Sequence, residues 1–320
     1  MLNSLPRLGR GVLTASTVAA LALSAGVLPR PAEAADPVRL GMQPWPGVTV
    51  KTQVALQIMD AMGYQAEIKE LSPQFVYQGI RSGDVDVTLG TWMPAHETML
   101  QPLLDDGQAA KHAVNLKGAV QGLAVPASVC EAGITSVEDL VANGERFERK
   151  IYAIGSGAAM TEAFDKAVQA DYKGLGAWQV VPSSVSGMLS QVDRRTRQDK
   201  AIVFHGWKPH WMDVKFDICF LSDDADSEIA DIESTVWTVA SSGWAEANPQ
   251  PARFLAQFAV EPKVQSRWIY DFAYKEQPAE KVATDWISGN LDQVAAWLEG
   301  VKAANGGDAA TAVREAFAGS

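Results

Sequence analysis

The chain alternates short apolar runs with longer segments in which apolar residues recur every three or four positions. Residues 38–42 have the composition of a strand, residues 49–62 show helical spacing and stop at Gly63, and residues 65–70 are strand-like again. A strand, a helix and a second strand in this order predict a βαβ unit, in which parallel strands form a sheet that helices cover.

The same alternation continues through most of the chain. Helical spacing recurs over residues 76–81, 159–170 and 186–194, and the chain after Pro249 is mostly helical. Further strands are expected at 85–89, 122–125, 151–154, 178–182 and 201–206. This pattern predicts an α/β fold.

The first 34 residues differ from the rest of the chain. Arg7 and Arg10 precede an uncharged run over residues 11–28, and Ala32 and Ala34 are small residues at the two positions that a signal peptidase reads. This pattern predicts a secretory signal peptide that is cleaved after Ala34. A membrane anchor is the alternative, but the run is rich in Ala, Ser and Thr rather than in Leu and Ile. We therefore expect a free periplasmic protein, without a lipid anchor because no Cys lies near the cleavage site.

The composition argues against several classes of protein. Removal of the signal segment, which holds three Arg and one Glu, changes the net charge from −11 to −13. A surface of this charge repels phosphate groups, so we expect no nucleic-acid partner. His205, His210 and Cys219 could be imagined as a metal or nucleophile site, but the chain has no HExxH, GxSxG or GK[ST] motif. We expect a protein that is not an enzyme and that needs no cofactor.

The two cysteines, Cys130 and Cys219, allow two interpretations. In an oxidising compartment they could form a disulfide, or each could be a small buried apolar residue. Neither belongs to a CxxC motif, so no structural metal is expected. The acidic segment near Asp223 is typical of a solvated loop, with weak Ca²⁺ binding as the alternative.

Three tryptophans stand in segments rich in Gly and Pro, each directly after a predicted strand: Trp45, Trp92 and Trp207. In open α/β sheets, ligands bind outside the carboxyl ends of the strands, so these side chains are expected at a ligand site. Aromatic faces suit a trimethylammonium group, which carries a charge but has no N–H to donate. The other tryptophans are expected to serve packing, with Trp211 open to either role.

Six segments of the chain resemble, in the same order, the glycine betaine/choline-binding proteins of ABC importers. They are Trp45-Pro46-Gly47, Val76-Tyr77-Gln78-Gly79, Gly83-Asp84-Val85-Asp86-Val87, Leu89-Gly90-Thr91-Trp92-Met93-Pro94, Asn115-Leu116-Lys117-Gly118-Ala119 and Gly206-Trp207-Lys208-Pro209-His210-Trp211. The resemblance implies a two-lobed periplasmic binding protein of type II, in which each lobe is a mixed, mostly parallel sheet flanked by helices. It also implies that Trp45, Trp92 and Trp207 form the aromatic cage.

The resemblance implies a protein that closes on a small quaternary-ammonium or zwitterionic ligand and delivers it to a membrane permease, and we expect this protein to be a monomer. We expect one lobe from residues 36–116 plus 221–320 and a second lobe from residues 117–220, with residues 1–34 as the signal peptide. A protein of this kind could instead act as a sensor that hands its liganded form to a membrane protein.

Three positions depart from the choline binders of this family. Those proteins carry an acidic residue where this chain has Gly47, a Tyr where it has Gln121 and an Asn where it has Ala158. The departures favour glycine betaine or a related betaine, whose carboxylate needs hydrogen-bond donors. Candidate donors are the backbone at Gly47 and Val48, the helix start near Ala158, and the side chains of Gln121 and His210. Choline, carnitine, trimethylamine N-oxide and dimethylsulfoniopropionate are the alternative ligands.

Overall fold

The computed structural model describes residues 36–318, without the side chains of residues 213 and 214. The predicted signal peptide therefore lies outside the described residues. Within the described range, none of the helices has the length and apolar character that crossing a membrane requires.

The elements follow one another in the alternation that the sequence predicts. The strands are β1 Val38–Met42, β2 Ala66–Glu70, β3 Val87–Met93, β4 Ala109–Pro126, β5 Lys150–Ala153, β6 Gln179–Pro182, β7 Val203–Lys208, β8 Ile218–Phe220 and β9 Ile232–Ser241. The helices are α1 Pro46–Ala61, α2 Pro73–Ser82, α3 Glu97–Asp105, α4 Ala127–Glu131, α5 Val137–Ala142, α6 Ala159–Gln169, α7 Val185–Thr196, α8 Met212–Lys215, α9 Trp244–Ala247, α10 Pro249–Gln257, α11 Pro262–Ile269, α12 Ala279–Gly289, α13 Leu291–Trp297 and α14 Ala309–Phe317. Short 3₁₀ turns occupy Gly144–Phe147 and Tyr172–Ala177, and a π-helical turn occupies Tyr270–Tyr274.

The strands form one mixed sheet in the order β2-β1-β3-β9-β4-β7-β5-β6, with β8 paired to β4. Strands β2, β1 and β3 are parallel to one another, and so are β7, β5 and β6. Between these two groups, β9 runs antiparallel to both β3 and β4, and β4 runs antiparallel to β7. Two mostly parallel groups are thus joined through two antiparallel strands.

The first βαβ unit confirms the reading of the hydrophobic pattern. Strands β1 and β2 pair in parallel with α1 between them, and the apolar face of α1 buries Val50, Val54 and Ile58. Helix α1 begins at Pro46, three residues before the expected start, because the fixed φ of proline suits the first helical position.

Strands β4 and β9 are the part of the sheet that the sequence pattern does not predict. Only residues 122–125, near the end of β4, were expected as a strand. The pairing of β4 with β9 shifts register between Lys111 and Ala113, between Val114 and Leu116, and between Leu116 and Ala119. Each shift reverses the face to which the following side chains point, so the alternation that marks a strand is interrupted.

The described hydrophobic core forms several clusters. The largest joins residues 38–89 to residues 240–313 around α1, another lies within residues 123–230, and a third of similar size to the second contains Trp92 and Trp207. The first two clusters fit the two-lobed α/β fold. The expected lobe boundaries near residues 116 and 220 stay a prediction.

A disulfide joins Cys130 of α4 to Cys219 of β8. Their Cα atoms lie 6.5 Å apart, within the range that a disulfide spans. Of the two interpretations left open by the sequence, the structure shows the covalent one.

In the acidic segment near Asp223, the Asp223 carboxylate accepts hydrogen bonds from Lys173 Nζ at 2.6 Å and from Ser227 Oγ at 2.6 Å. The described residues contain no group of three or more His, Cys, Asp or Glu placed to hold a metal ion.

Candidate functional site

A small cleft brings together residues from distant parts of the chain. Five residues predicted for the ligand site line it: Trp45, Trp92, Gln121, Ala158 and Trp207. The lining also includes Ala95, His96, Ile154, Ala159, Met160 and His205. None of these lining residues is Asp, Glu, Lys or Arg. The described wall of the cleft is therefore mostly apolar, and its aromatic faces are the feature that attracts a cation.

The strands position two of the three tryptophans. Trp92 lies in β3 opposite Val236 of β9, and Trp207 lies in β7 directly opposite Gln121 of β4. The sequence pattern placed both rings in loops after their strands, whereas the strands extend through them because β9 and β4 supply backbone partners there. Both rings are largely buried, with 8% of Trp92 and 6% of Trp207 exposed. In each segment the peptide bond to the nearby proline, Pro94 or Pro209, is cis.

Trp45 is held differently from the other two rings. It is the residue that precedes the first turn of α1, and its extended backbone lets the chain enter the helix at Pro46. Its ring is half-buried and meets the His96 ring edge-on, with the ring centres 6.0 Å apart. Trp45 packs against the core around α1 and also against the cluster that contains Trp92 and Trp207, so it lies where the two apolar regions meet.

A neutral polar chain supports His96 behind Trp45. The Tyr77 hydroxyl lies 2.9 Å from His96 Nδ1 and 3.0 Å from Thr91 Oγ1. Burial lowers the pKa of His96 to about 4 and raises the pKa of the Tyr77 phenol above its usual value. At neutral pH this wall of the cleft therefore carries no charge that would repel a cation.

Two more histidines flank Trp207. The ring centre of Trp207 lies 4.9 Å from that of His205 and 4.8 Å from that of His210. Burial lowers the pKa of both histidines to about 3, and for His210 the proximity of His205 adds to the effect. Both imidazoles are thus neutral at physiological pH. His210 Nδ1 accepts the backbone N–H of Met212 at 3.1 Å, which fixes its orientation.

Three predicted site residues lie outside the lining of the cleft. His210 is fully buried behind Trp207, between that ring and Trp211. Gly47 and Val48 lie in the first turn of α1, and the side chain of Val48 packs in the core. A Cβ atom on Gly47 would lie 2.8 Å from Gln265 Nε2, so an amide of α11 occupies the space beside that glycine. Their contact with a ligand stays a prediction.

Two helix starts face the region of the cleft. Ala158 precedes α6, and Ala159 and Met160 form its first turn and line the cleft. Trp45 precedes α1 in the same way. The first N–H groups of a helix have no acceptor within the helix, and the helix dipole favours an anion there. The described wall of the cleft thus includes aromatic faces and the first turn of α6.

Sequence reasoning missed His96 and His205 as residues of the cleft. His205 precedes Trp207 by two positions in β7, and residues two apart in a strand share a face, so strand alternation could have indicated it. His96 carries no comparable local signal, because α3 begins just after it and only the tertiary fold brings it to Trp45.

A family model described as the substrate-binding domain of the ABC-type glycine betaine transport system matches residues 36–289. The chain belongs to this family. It is a family of transport proteins rather than of enzymes, and it confirms the resemblance that the tryptophan segments indicate.

Solved structures of similar proteins agree with this family. A choline-binding protein of an ABC transporter, in complex with choline, has a TM-score of 0.84 and 31% identity, covering 88% of this chain and 97% of that chain. Lactococcal OpuAC, closed around glycine betaine, has a TM-score of 0.73 and 27% identity, covering 82% of this chain and 99% of that chain.

A curated relative extends the comparison. The glycine betaine/carnitine transport binding protein GbuC of Listeria monocytogenes is 31% identical over 163 residues, which are 51% of this chain and 53% of that protein. Together with the structures, this similarity confirms the two-lobed α/β fold of a substrate-binding protein of ABC transport.

Proposed function

We propose that this protein is the periplasmic solute-binding component of an ABC importer and captures glycine betaine or a related betaine for delivery to a permease. The observation that carries the proposal is the cleft walled by Trp45, Trp92 and Trp207, whose described lining holds no Asp, Glu, Lys or Arg. The predicted signal peptide supports the periplasmic location, and the family supports the transport role.

The tryptophan rings account for the cationic end of the ligand. A trimethylammonium group gains about 0.5 to 2 kcal/mol from each ring, so three rings supply roughly 2 to 6 kcal/mol. Millimolar affinity corresponds to about 4 kcal/mol and micromolar affinity to about 8 kcal/mol. The cage alone therefore reaches about millimolar affinity, and tighter binding needs contacts with the rest of the ligand.

The two helix starts favour a ligand with an anionic end. Carboxylate oxygens accept hydrogen bonds from free N–H groups at the first turn of a helix, and the residues that precede α1 and α6, Trp45 and Ala158, both line the cleft. In this proposal Gly47 and Val48 supply donors through their backbone, the turn after Ala158 supplies others, and Gln121 donates from β4. Gln121 Nε2 already donates to Ser234 Oγ at 3.2 Å, so its second amide hydrogen is the one available to a ligand.

Choline is the second candidate ligand, because a similar structure is a choline-binding protein with choline bound. The position at which choline binders carry an acidic residue is Gly47, and Gln265 fills the space beside it. Ala158 likewise offers only a methyl group where those proteins carry an amide. These side chains favour the betaine over choline.

The proposed mechanism is closure of two lobes over the ligand. We place the lobe boundaries at 116/117 and 220/221, where β4 and the segment after β8 carry the chain from one lobe to the other. Ligand binding shifts the population from an open towards a closed form that the permease recognises.

Calorimetric titration of the purified protein with glycine betaine, choline and tetramethylammonium tests the proposal. We expect the tightest binding for glycine betaine and measurable binding for tetramethylammonium, which can use only the cage. Trp92→Ala and Trp207→Ala should each weaken glycine betaine binding at least about tenfold, because a lost ring also admits water to the cage.

The control is Trp237→Ala, which removes a half-buried tryptophan of β9 that lies outside the cleft. Its affinity for glycine betaine should stay close to wild type. An affinity within twofold of wild type for both Trp92→Ala and Trp207→Ala would refute the cage.

A further inference from the structure

His205 is a buried polar side chain that the fold leaves without a partner. Only 4% of the residue is exposed, and both ring nitrogens lie away from solvent with no hydrogen-bond partner among the described residues. Buried polar groups in folded proteins are nearly always hydrogen-bonded, so an unpartnered side chain of this kind requires an explanation. His205 also lines the cleft that holds the tryptophan cage.

His205 lies beside Trp207 in the wall of the cleft. In β7 it lies on the same face as Trp207, two residues before it and opposite Leu123 of β4. Its ring meets Phe164 of α6 edge-on at 5.8 Å and Trp207 at 4.9 Å. Phe164 lies about one turn after Met160, whose turn opens α6 into the same cleft. The imidazole therefore contacts both a ring of the cage and α6, whose first turn lines the cleft.

The chemistry of a neutral imidazole fits the tail of a zwitterion. One ring nitrogen carries a proton and donates, and the other accepts. A neutral ring adds a directed N–H donor without placing a positive charge beside the bound trimethylammonium group. Apolar neighbours such as Phe164 and Leu123 offer no competing acceptor from their side chains, so the described residues leave this donor without a partner.

We propose that His205 hydrogen-bonds the oxygen-bearing tail of the bound ligand and thereby favours quaternary-ammonium compounds that carry such a tail over those without one. This inference rests on the proposed function, since it assigns the tail contact within the same cleft. It makes His205 a specificity-determining residue, distinct from the tryptophans that hold the cation.

The test compares two ligands on variants of His205. Glycine betaine uses both the cage and the tail contact, whereas tetramethylammonium has no tail. His205→Leu removes both ring nitrogens at similar volume, and we expect it to weaken glycine betaine binding by about tenfold to a hundredfold, as expected for a hydrogen bond to a charged group. Tetramethylammonium binding should change far less. His205→Gln, which restores a donor and an acceptor, should recover part of the loss for glycine betaine.

Each outcome separates the inference from the proposed function. If His205→Leu binds glycine betaine as well as wild type, or loses affinity for both ligands equally, the inference fails while the cage stands. If the wild-type protein binds neither ligand, the proposed function fails and the inference with it.

A second measurement covers the case in which His205→Leu does not fold. In wild-type protein labelled with ¹⁵N at histidine, glycine betaine should shift the ring-nitrogen resonances of His205 more than tetramethylammonium does, with assignment from His205→Gln. Equal shifts with the two ligands would overturn the inference.

Discussion

Replacing Lys51 with methionine should stabilise the protein at neutral pH, although it removes a hydrogen bond. Lys51 lies one turn after Gly47 in α1, and only 1% of it is exposed. Its Nζ donates to Asn115 Oδ1 at 2.7 Å, and no carboxylate of the described residues forms an ion pair with it. Burial lowers the pKa of Lys51 from 10.5 to about 7.

The magnitude follows from this pKa. Each pKa unit corresponds to about 1.4 kcal/mol, so holding the protonated amine in the fold at pH 7 costs roughly 4 kcal/mol relative to the neutral amine. Methionine has a similar length and no charge, but it leaves Asn115 Oδ1 without its donor, at a cost of about 1 to 3 kcal/mol. The net expectation is a gain of about 1 to 3 kcal/mol in the free energy of unfolding at pH 7.

The stability difference between Lys51→Met and wild type should change with pH in a definite direction. Between pH 7 and 10.5 the unfolded chain keeps a proton on Lys51 that the folded chain releases, so wild-type stability rises with pH over this range. The advantage of Lys51→Met should therefore shrink as the pH rises and reverse between about pH 8 and pH 10, where the cost of burying the charge falls below the cost of the lost hydrogen bond.

Urea unfolding followed by tryptophan fluorescence at pH 7, 8, 9 and 10 measures this difference. The control is Lys263→Met, a change at an exposed lysine of α11, for which no such trend is expected. A difference between Lys51→Met and wild type that stays constant across the pH range would refute the reasoning.

Two further predictions concern the cleft. The three buried histidines have pKa values of about 4, 3 and 3, so below pH 6.5 the unfolded chain binds protons that the folded chain does not. Stability should fall by roughly 2 kcal/mol per histidine by pH 5 in denaturant titrations, and a flat profile from pH 7 to 5 would contradict their neutral burial. Gly47→Asp should shift preference from glycine betaine towards choline, most clearly when Gln265→Ser makes room for the new side chain. Competition calorimetry measures the ratio, and an unchanged ratio in the double variant would place the ligand's tail away from Gly47.

The sequence by itself determined the α/β class and the first βαβ unit. Periods of two and of about 3.6 residues are local properties, so β1, α1 and β2 can be recognised without knowledge of any distant contact. The tryptophans of the cleft were found for a related reason, because their Gly and Pro neighbours mark the ends of predicted strands.

Tertiary structure decided which polar groups meet in the cleft. Sequence reasoning selected His210 and passed over His205, yet the fold buries His210 behind Trp207 and brings His205 to the lining. Gln265 lies beside Gly47, from which it is separated by most of the chain. Which polar groups reach the cleft depends on the pairing of β7 with β4 and on the packing of α11, and no local sequence pattern encodes either contact.

The links between distant segments were likewise decided by the tertiary structure. The disulfide joins cysteines 89 positions apart, and β4 pairs with β9 through three register shifts that hide its alternation. Local periodicity reports which face of an element is apolar, whereas these links depend on which surfaces come together when the chain folds. That is why the sequence could predict the elements and the rings, and only the assembled fold could show their partners.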